Sequence, residues 1–311
     1  MAEENKAVYV PKKKKYDKAT KIFIITGIMI PIIQWLIFYI YCNASAFVMA
    51  FTNKEGVLSF ANFTRIIEEF QTPTSDVRIA LANTLFTFVI IFVSYPFQVL
   101  VSYFLYKKVP GTAFYRIVFF IPGIIFSVAV SMVFKRMVDV NGIIAQTVGE
   151  WLDLGYAPEL LADSRFARTT CLLEMIWLSF PGSMIIWGGT FARIPEEVLE
   201  SARIDGVTWW QEFTKIIVPL VWPTVALQMI LLICGIFGAD YSSFLLTGGQ
   251  YETITLSSWM YLQMYANSGA NYTSNVYNYM SACGLCMTVI AVTLSLFIRK
   301  FTDRAFNDVE F

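Results

Sequence analysis

"PEEVLESARIDGVTWWQEFTKIIVP", residues Pro195 to Pro219, is the stretch whose reading decides the fold. It carries Glu196, Glu197, Glu200, Arg203, Asp205, Glu212 and Lys215, and the sequence on both sides is oily. Pro195 suits the first turn of a helix, where its missing N–H is not needed. Glu196 and Glu197 follow, where carboxylates meet the positive end of the helix dipole. Gly206 suits the left-handed residue that ends such a helix. Thr208 with Gln211 three residues on has the pattern of a capping box, so a second helix begins there and carries Trp209, Trp210 and Phe213. The spacing predicts a hairpin of two short helices, with Pro219 leading into the next apolar run.

Working outward, the composition explains why such a hairpin stands out. Of 311 residues, 57% are hydrophobic, 16% aromatic and only 15% charged, against about 25% charged in an average soluble domain. Several apolar runs exceed the ~20 residues a helix needs to cross the hydrocarbon core. The chain therefore reads as one all-α, polytopic membrane domain. Six spans are predicted, at about 22–50, 81–106, 114–134, 169–192, 217–238 and 278–300. The basic run Lys12 to Lys15 before the first apolar run suggests a signal peptide, but that run is longer than the 7–15 residues typical of one. It is read as an uncleaved first span. The domain reading is a basic tail over 1–21, a membrane domain over 22–300 and a short tail over 301–311.

Lys and Arg decide the orientation. With the N-terminus in the cytoplasm, sixteen of the twenty-three Lys and Arg fall on the inside and seven on the outside. Both termini are then cytoplasmic, and so is the hairpin, over 193–216. Three longer loops, about 51–80, 135–168 and 239–277, lie outside by the same rule.

Other chemistry is narrowed by what the sequence lacks. Net charge is zero, which argues against nucleic acid as a partner. There is no histidine, which removes His-based triads and His-ligated metals. The five cysteines, Cys42, Cys171, Cys234, Cys283 and Cys286, all fall in apolar runs. They read as small packing residues rather than as a disulfide framework or a metal site. No G-x-x-x-x-G-K-[ST] phosphate cradle occurs.

By itself the hairpin also fits a polar connector with an interfacial helix, since Trp is common at membrane surfaces. Its internal order says more. Glu200, Ser201, Ala202, then Gly206, then Ile216, Val218 and Pro219 resemble the EAA loop of ABC-importer membrane subunits, Glu-Ala-Ala-x3-Gly-x9-Ile-x-Leu-Pro. Ser201 stands in place of an alanine and Val218 in place of the leucine, and both keep the character of the position. The resemblance extends over nearly the whole chain to the carbohydrate-uptake branch, first permease of the pair. "FANF" (Phe60–Phe63), "NT" (Asn83–Thr84), "FYRIVFFIP" (Phe114–Pro122) and "LLTGG" (Leu245–Gly249) stand where that branch has similar stretches. The tail "FIRKFTDRAFNDVEF" lacks the second permease's usual ending.

That resemblance implies a type I importer permease in the bacterial cytoplasmic membrane, without an ATPase site of its own. It implies a second homologous permease, two cytoplasmic ATPase subunits holding ATP and Mg, and an extracytoplasmic solute-binding protein. The cargo it implies is a carbohydrate, an oligosaccharide by branch, with a polyol, glycerol phosphate or polyamine as the alternative. A gradient-driven transporter or channel is a further alternative, but it leaves the EAA spacing unexplained. A membrane enzyme is disfavoured by the missing histidine and the lack of clustered acids. Glu200, Ser201, Ala202, Arg203, Asp205 and Gly206 are then the residues that couple to the ATPase. Arg203 and Asp205 read equally as docking charges or as a solvated face or internal pair.

Polar groups at membrane depth tend to be functional. The pathway candidates are Glu174 and Trp177, three apart on one helix face, with Gln228, Asp240 and Tyr241; Asn83 and Gln98 are weaker ones. Each also reads as a helix–helix hydrogen bond or an anchor. Trp259, Tyr261 and Tyr265 fit a binding-protein contact or an aromatic belt.

Overall fold

A computed structural model describes residues 17–73, 75–238, 241–266 and 274–305. In chain order the helices are α1 (Lys18–Ala50), α2 (Ala61–Gln71), α3 (Asp76–Tyr106), α4 (Thr112–Ile124), α5 (Ser127–Val138) and α6 (Ile143–Trp151). Then follow α7 (Ser164–Phe191), α8 (Glu196–Ile204), α9 (Trp209–Cys234), α10 (Tyr241–Thr247), α11 (Leu256–Ala266) and α12 (Ser274–Ala305). Among the described residues the only β pairing is an isolated bridge between Thr52 and Leu58.

Five helices, α1, α3, α7, α9 and α12, are long and apolar enough to cross a membrane. The expected third span is different. α4 and α5 bend by 111° at the Ile125–Phe126 break, so the run predicted at 114–134 is a bent pair rather than a straight rod. Both break residues are extended, Ile125 at ψ 145° and Phe126 at ψ 127°. Pro122 removes one helical donor just before the break. Gly123 meets Pro181 of α7 so closely that a Cβ there would clash with Pro181 Cβ and stand 2.9 Å from its Cγ. Hydropathy measures the length of such a run and is blind to both effects.

The second helix of the hairpin runs into the fifth span as one helix, α9, through a wider π-helical turn at Glu212–Ile217. Pro219 supplies no N–H to the Lys215 carbonyl, and the wider turn just ahead absorbs the mismatch.

The bundle has two distinct ends. At one, Asn278 Nδ2 donates to the Thr52 carbonyl (3.0 Å), and Tyr279 Oη donates to Glu69 Oε2 (2.6 Å). Here the end of α1 and the starts of α3 and α12 gather with α2 and α11. At the other end, Lys107 meets Glu212, and Trp222 Nε1 donates to the Thr302 carbonyl at 3.3 Å. The loops assigned outside by charge thus share one end, and the connectors assigned inside share the other. Helices in lipid gain no hydrophobic drive from meeting each other, so close packing and interhelical hydrogen bonds, about 1 kcal/mol each, hold them.

Candidate functional site

The hairpin forms as its sequence requires. Gly206 is left-handed, at φ +70°. Its N–H reaches the Arg203 carbonyl (3.1 Å), and the Val207 N–H reaches Ala202 (3.1 Å). That is the Schellman arrangement, which satisfies carbonyls left open at a helix end. Thr208 Oγ1 accepts from the Gln211 N–H, while Gln211 Oε1 accepts from the Thr208 N–H, closing the capping box.

The two faces of α8 differ. Leu199 and Ala202 are buried, while Glu200, Ser201, Arg203 and Asp205 are exposed. Ser201 and Ala202 therefore do not make one small outward face. Ala202 lets α8 lie close on the body of the protein, and Ser201 looks outward with its hydroxyl bonded back to Val198. Among the described residues no ion pair involves Glu200, Arg203 or Asp205. Their charge is directed at solvent or at another chain, not at each other. One residue that sequence reading missed is Ile204, whose side chain is 87% exposed at the hairpin tip. Its signal is an aliphatic residue between Arg203 and Asp205, off the apolar face set by Leu199 and Ala202.

Behind the hairpin lies an aromatic root. Leu199, Ile194, Phe213 and Ile217 join Tyr103, Trp187, Phe191 and Val221 in one buried cluster. Tyr103 meets Phe213 at 5.1 Å between centroids, and Phe104 meets Trp209 at 5.3 Å. The hairpin is thus packed on α3, α7 and α9 together.

Further into the bundle the same three helices wall a cavity of about 360 Å³. Thr87, Tyr95 and Gln98 face it from α3, Met175, Ser179 and Ser183 from α7, and Gln228 from α9. Thr255 and Ser257 close the outer side. Gln98 Nε2 donates to Ser179 Oγ at 2.9 Å, tying the two walls. Ser183 Oγ is buried and has no hydrogen-bond partner among the described residues, while the buried Tyr95 hydroxyl lies beside the side chains of Trp187 and Gln228.

The cavity sorts the pathway candidates. Gln228 and Gln98 lie on its wall. Glu174 does not: it is wholly buried, and neither carboxylate oxygen has a hydrogen-bond partner among the described residues. Trp177 faces the other way and packs near Phe134 at 6.3 Å. The cavity face of α7 is the 175, 179, 183 stripe, four apart; the Glu174–Trp177 face is a neighbouring stripe turned into the protein. Asn83 is committed elsewhere. Its amide donates to the carbonyls of Glu252 (2.7 Å) and Ile254 (2.8 Å), and next to it Thr84 Oγ1 accepts from the Leu256 N–H (2.9 Å). "NT" is therefore a clip holding the segment that follows "LLTGG". Asp240 lies outside the described residues, as does the side chain of Tyr241. Trp259 is buried beside Tyr279, while Tyr261 and Tyr265 form an exposed pair 4.2 Å apart.

This geometry has relatives. Over 90% of its length the chain is 24% identical to a multiple sugar-binding transport system permease protein of Streptococcus mutans, covering 94% of that protein. It is 25% identical to a lactose transport system permease protein of Rhizobium radiobacter, over 72% of this chain and 77% of that one. Among solved structures it shares its fold, at a TM-score of 0.76 and 21% identity, with a chain of a bacterial ABC transporter involved in the import of the acidic polysaccharide alginate; 92% of this chain and 96% of that one align. A family model matches residues 77–307, well over half of the sequence. The chain belongs to the family of binding-protein-dependent transport system inner membrane components.

Proposed function

We propose that this chain is one permease of an ATP-driven importer and forms, with a second homologous permease, the alternating-access pathway for a carbohydrate, in the size class of an oligosaccharide. The observation that carries this is the shared scaffold. The exposed hairpin and the polar cavity are built on the same α3, α7 and α9. A push on the one moves the walls of the other. Two ATPase subunits would seat the hairpin, with Glu200 making a charge-assisted bond to a cationic group and Ile204 filling an apolar socket. ATP and Mg would be held there, and an extracytoplasmic solute-binding protein would deliver cargo at the opposite end.

The relatives named for sugar and for lactose support carbohydrate as cargo. A second reading, import of a non-sugar solute, also has a supporting relative. An osmoprotective-compound uptake permease protein of Synechocystis is 31% identical over 54% of this chain and 63% of its own length. The test is ligand-stimulated ATP hydrolysis by the reconstituted complex, screened over oligosaccharides, polyols, glycerol phosphate and polyamines. Stimulation by a carbohydrate is expected. Stimulation by another solute, with none by any carbohydrate, overturns the assignment.

A further inference from the structure

We infer that Asn83, Thr87 and Arg168 hold one ordered water molecule, which accepts a hydrogen bond from the wall and donates one to the Asn83 side-chain oxygen. The site lies behind the clip that Asn83 forms, and the inference is independent of what the protein transports.

Three observations carry it. First, the Asn83 amide has no freedom to turn over. Its Nδ2 donates to the carbonyls of Glu252 (2.7 Å) and Ile254 (2.8 Å), so the other terminal atom must be the acceptor oxygen. That oxygen, Oδ1, belongs to a residue only 2% exposed and has no hydrogen-bond partner among the described residues. A buried acceptor without a donor is costly, and such groups are nearly always satisfied by protein or by ordered water. Second, Asn83 lines a niche of about 20 Å³ between α3, α7, α10 and the segment that the clip holds. That is room for one water and little more. Third, the wall supplies the donors such a water needs. Thr87 stands four residues on from Asn83, on the same face of α3, and Arg168 enters from α7. The Arg168 guanidinium lies 5.6 Å from the centroid of the Phe86 ring, a cation–π contact that leaves it N–H donors to spare. Thr253 and Thr255 on the same wall are less free, donating to the Gln250 carbonyl (2.7 Å) and to Ser258 Oγ (3.1 Å).

Neither Thr87 nor Arg168 reaches Oδ1 directly, and polar groups just beyond direct reach are where a bridging water belongs. The wall also favours water over an ion. A sodium ion would suit Oδ1 and the hydroxyls but be repelled by Arg168. A chloride would suit Arg168 but face the lone pairs of Oδ1. Water alone both accepts from the guanidinium and donates to Oδ1. It thereby ties Arg168 of α7 to the clip on α3.

The test is a crystal structure of the intact complex at about 2 Å resolution, where a water peak is expected about 3 Å from Asn83 Oδ1, at hydrogen-bond distance. Crystals soaked in bromide and in rubidium salts separate water from an ion: an anomalous peak at the site overturns the inference. So does a parent structure in which Oδ1 has no such water, or bonds Thr87 or Arg168 directly. Thr87→Val removes the hydroxyl at nearly constant size, and Arg168→Met keeps much of the stem without the donors. The water should be lost from the double variant while the Asn83 bonds to Glu252 and Ile254 remain. A peak that persists there overturns the assignment of its donors. Each single variant should lower the thermal midpoint by about 2–4 °C, and the double variant by less than the sum, because both act on one water. Strictly additive shifts overturn the shared site.

Discussion

Lys107 Nζ lies 2.7 Å from Oε2 of Glu212 and 2.6 Å from Oε1, with 20% and 6% of the two side chains exposed. The pair joins the connector between α3 and α4 to the first turns of α9, where the hairpin leaves the membrane surface. Nothing in the spacing of the two residues announces it. It fixes the α9 end of the hairpin to α3, beside the aromatic root formed by Tyr103 and Phe213.

Breaking this pair on one side leaves a charge with little water to solvate it. Lys107→Ala or Glu212→Ala should each destabilise the chain by about 3 kcal/mol. The doubly swapped Lys107→Glu with Glu212→Lys should recover a good part of that. Thermal unfolding of the purified complex in detergent measures both. Single variants as stable as the parent would show that the pair contributes nothing.

At the hairpin tip, Gly206 has open space where a Cβ would stand, so its constraint is backbone conformation alone. Gly206→Ala should cost about 1 kcal/mol, the penalty for a left-handed non-glycine residue, and leave uptake near normal. Gly206→Pro should abolish uptake at normal membrane abundance, because Pro fixes φ near −65° and removes the N–H bonded to Arg203. Combining it with Glu200→Ala makes the sharper test. Uptake that survives the double change would mean the hairpin does not couple.

The α4–α7 crossing depends on the absence of a side chain at Gly123. Gly123→Ala should cost about 2 kcal/mol by forcing the two helices apart, and membrane abundance should fall. Gly182→Ala, next to Pro181 but with nothing within 4 Å of the new Cβ, should be tolerated. Equal abundance of the two variants would argue that the bend does not rest on this contact.

Asn83 separates structure from transport. Asn83→Asp puts a carboxylate against the Glu252 and Ile254 carbonyls and removes both donors, which should cost about 2–3 kcal/mol. The loss should appear as lower thermal stability, with the ranking of transported sugars unchanged. A changed ranking at unchanged stability would return Asn83 to the pathway.

How much of this was legible without coordinates follows from the range of each interaction. The hairpin was legible in detail because its determinants are local. Pro195, the left-handed Gly206 and the Thr208–Gln211 box act over a few residues of backbone, so spacing alone specifies them. Most spans were legible because hydropathy over about 20 residues is a local sum. The bend between α4 and α5 was not, since it involves Gly123 meeting Pro181 on another helix. The π-helical turn inside α9 was hidden too, because such a turn has no sequence signature as firm as a cap. Among the candidate pathway residues, sequence identified polar groups at membrane depth but could not rotate the helices. Packing turned Gln228 and Gln98 to the cavity, Glu174 into the protein and Asn83 onto a loop. It also turned Ala202 inward and left Ile204 outward on the same short helix. Sequence alone determined the long apolar helices and where the hairpin turns, because those are set by neighbours along the chain, but it read as loops the stretches that hold α2, α6, α10 and α11. Tertiary structure alone decided which side chains share a cavity, because that depends on partners the chain reaches only by folding.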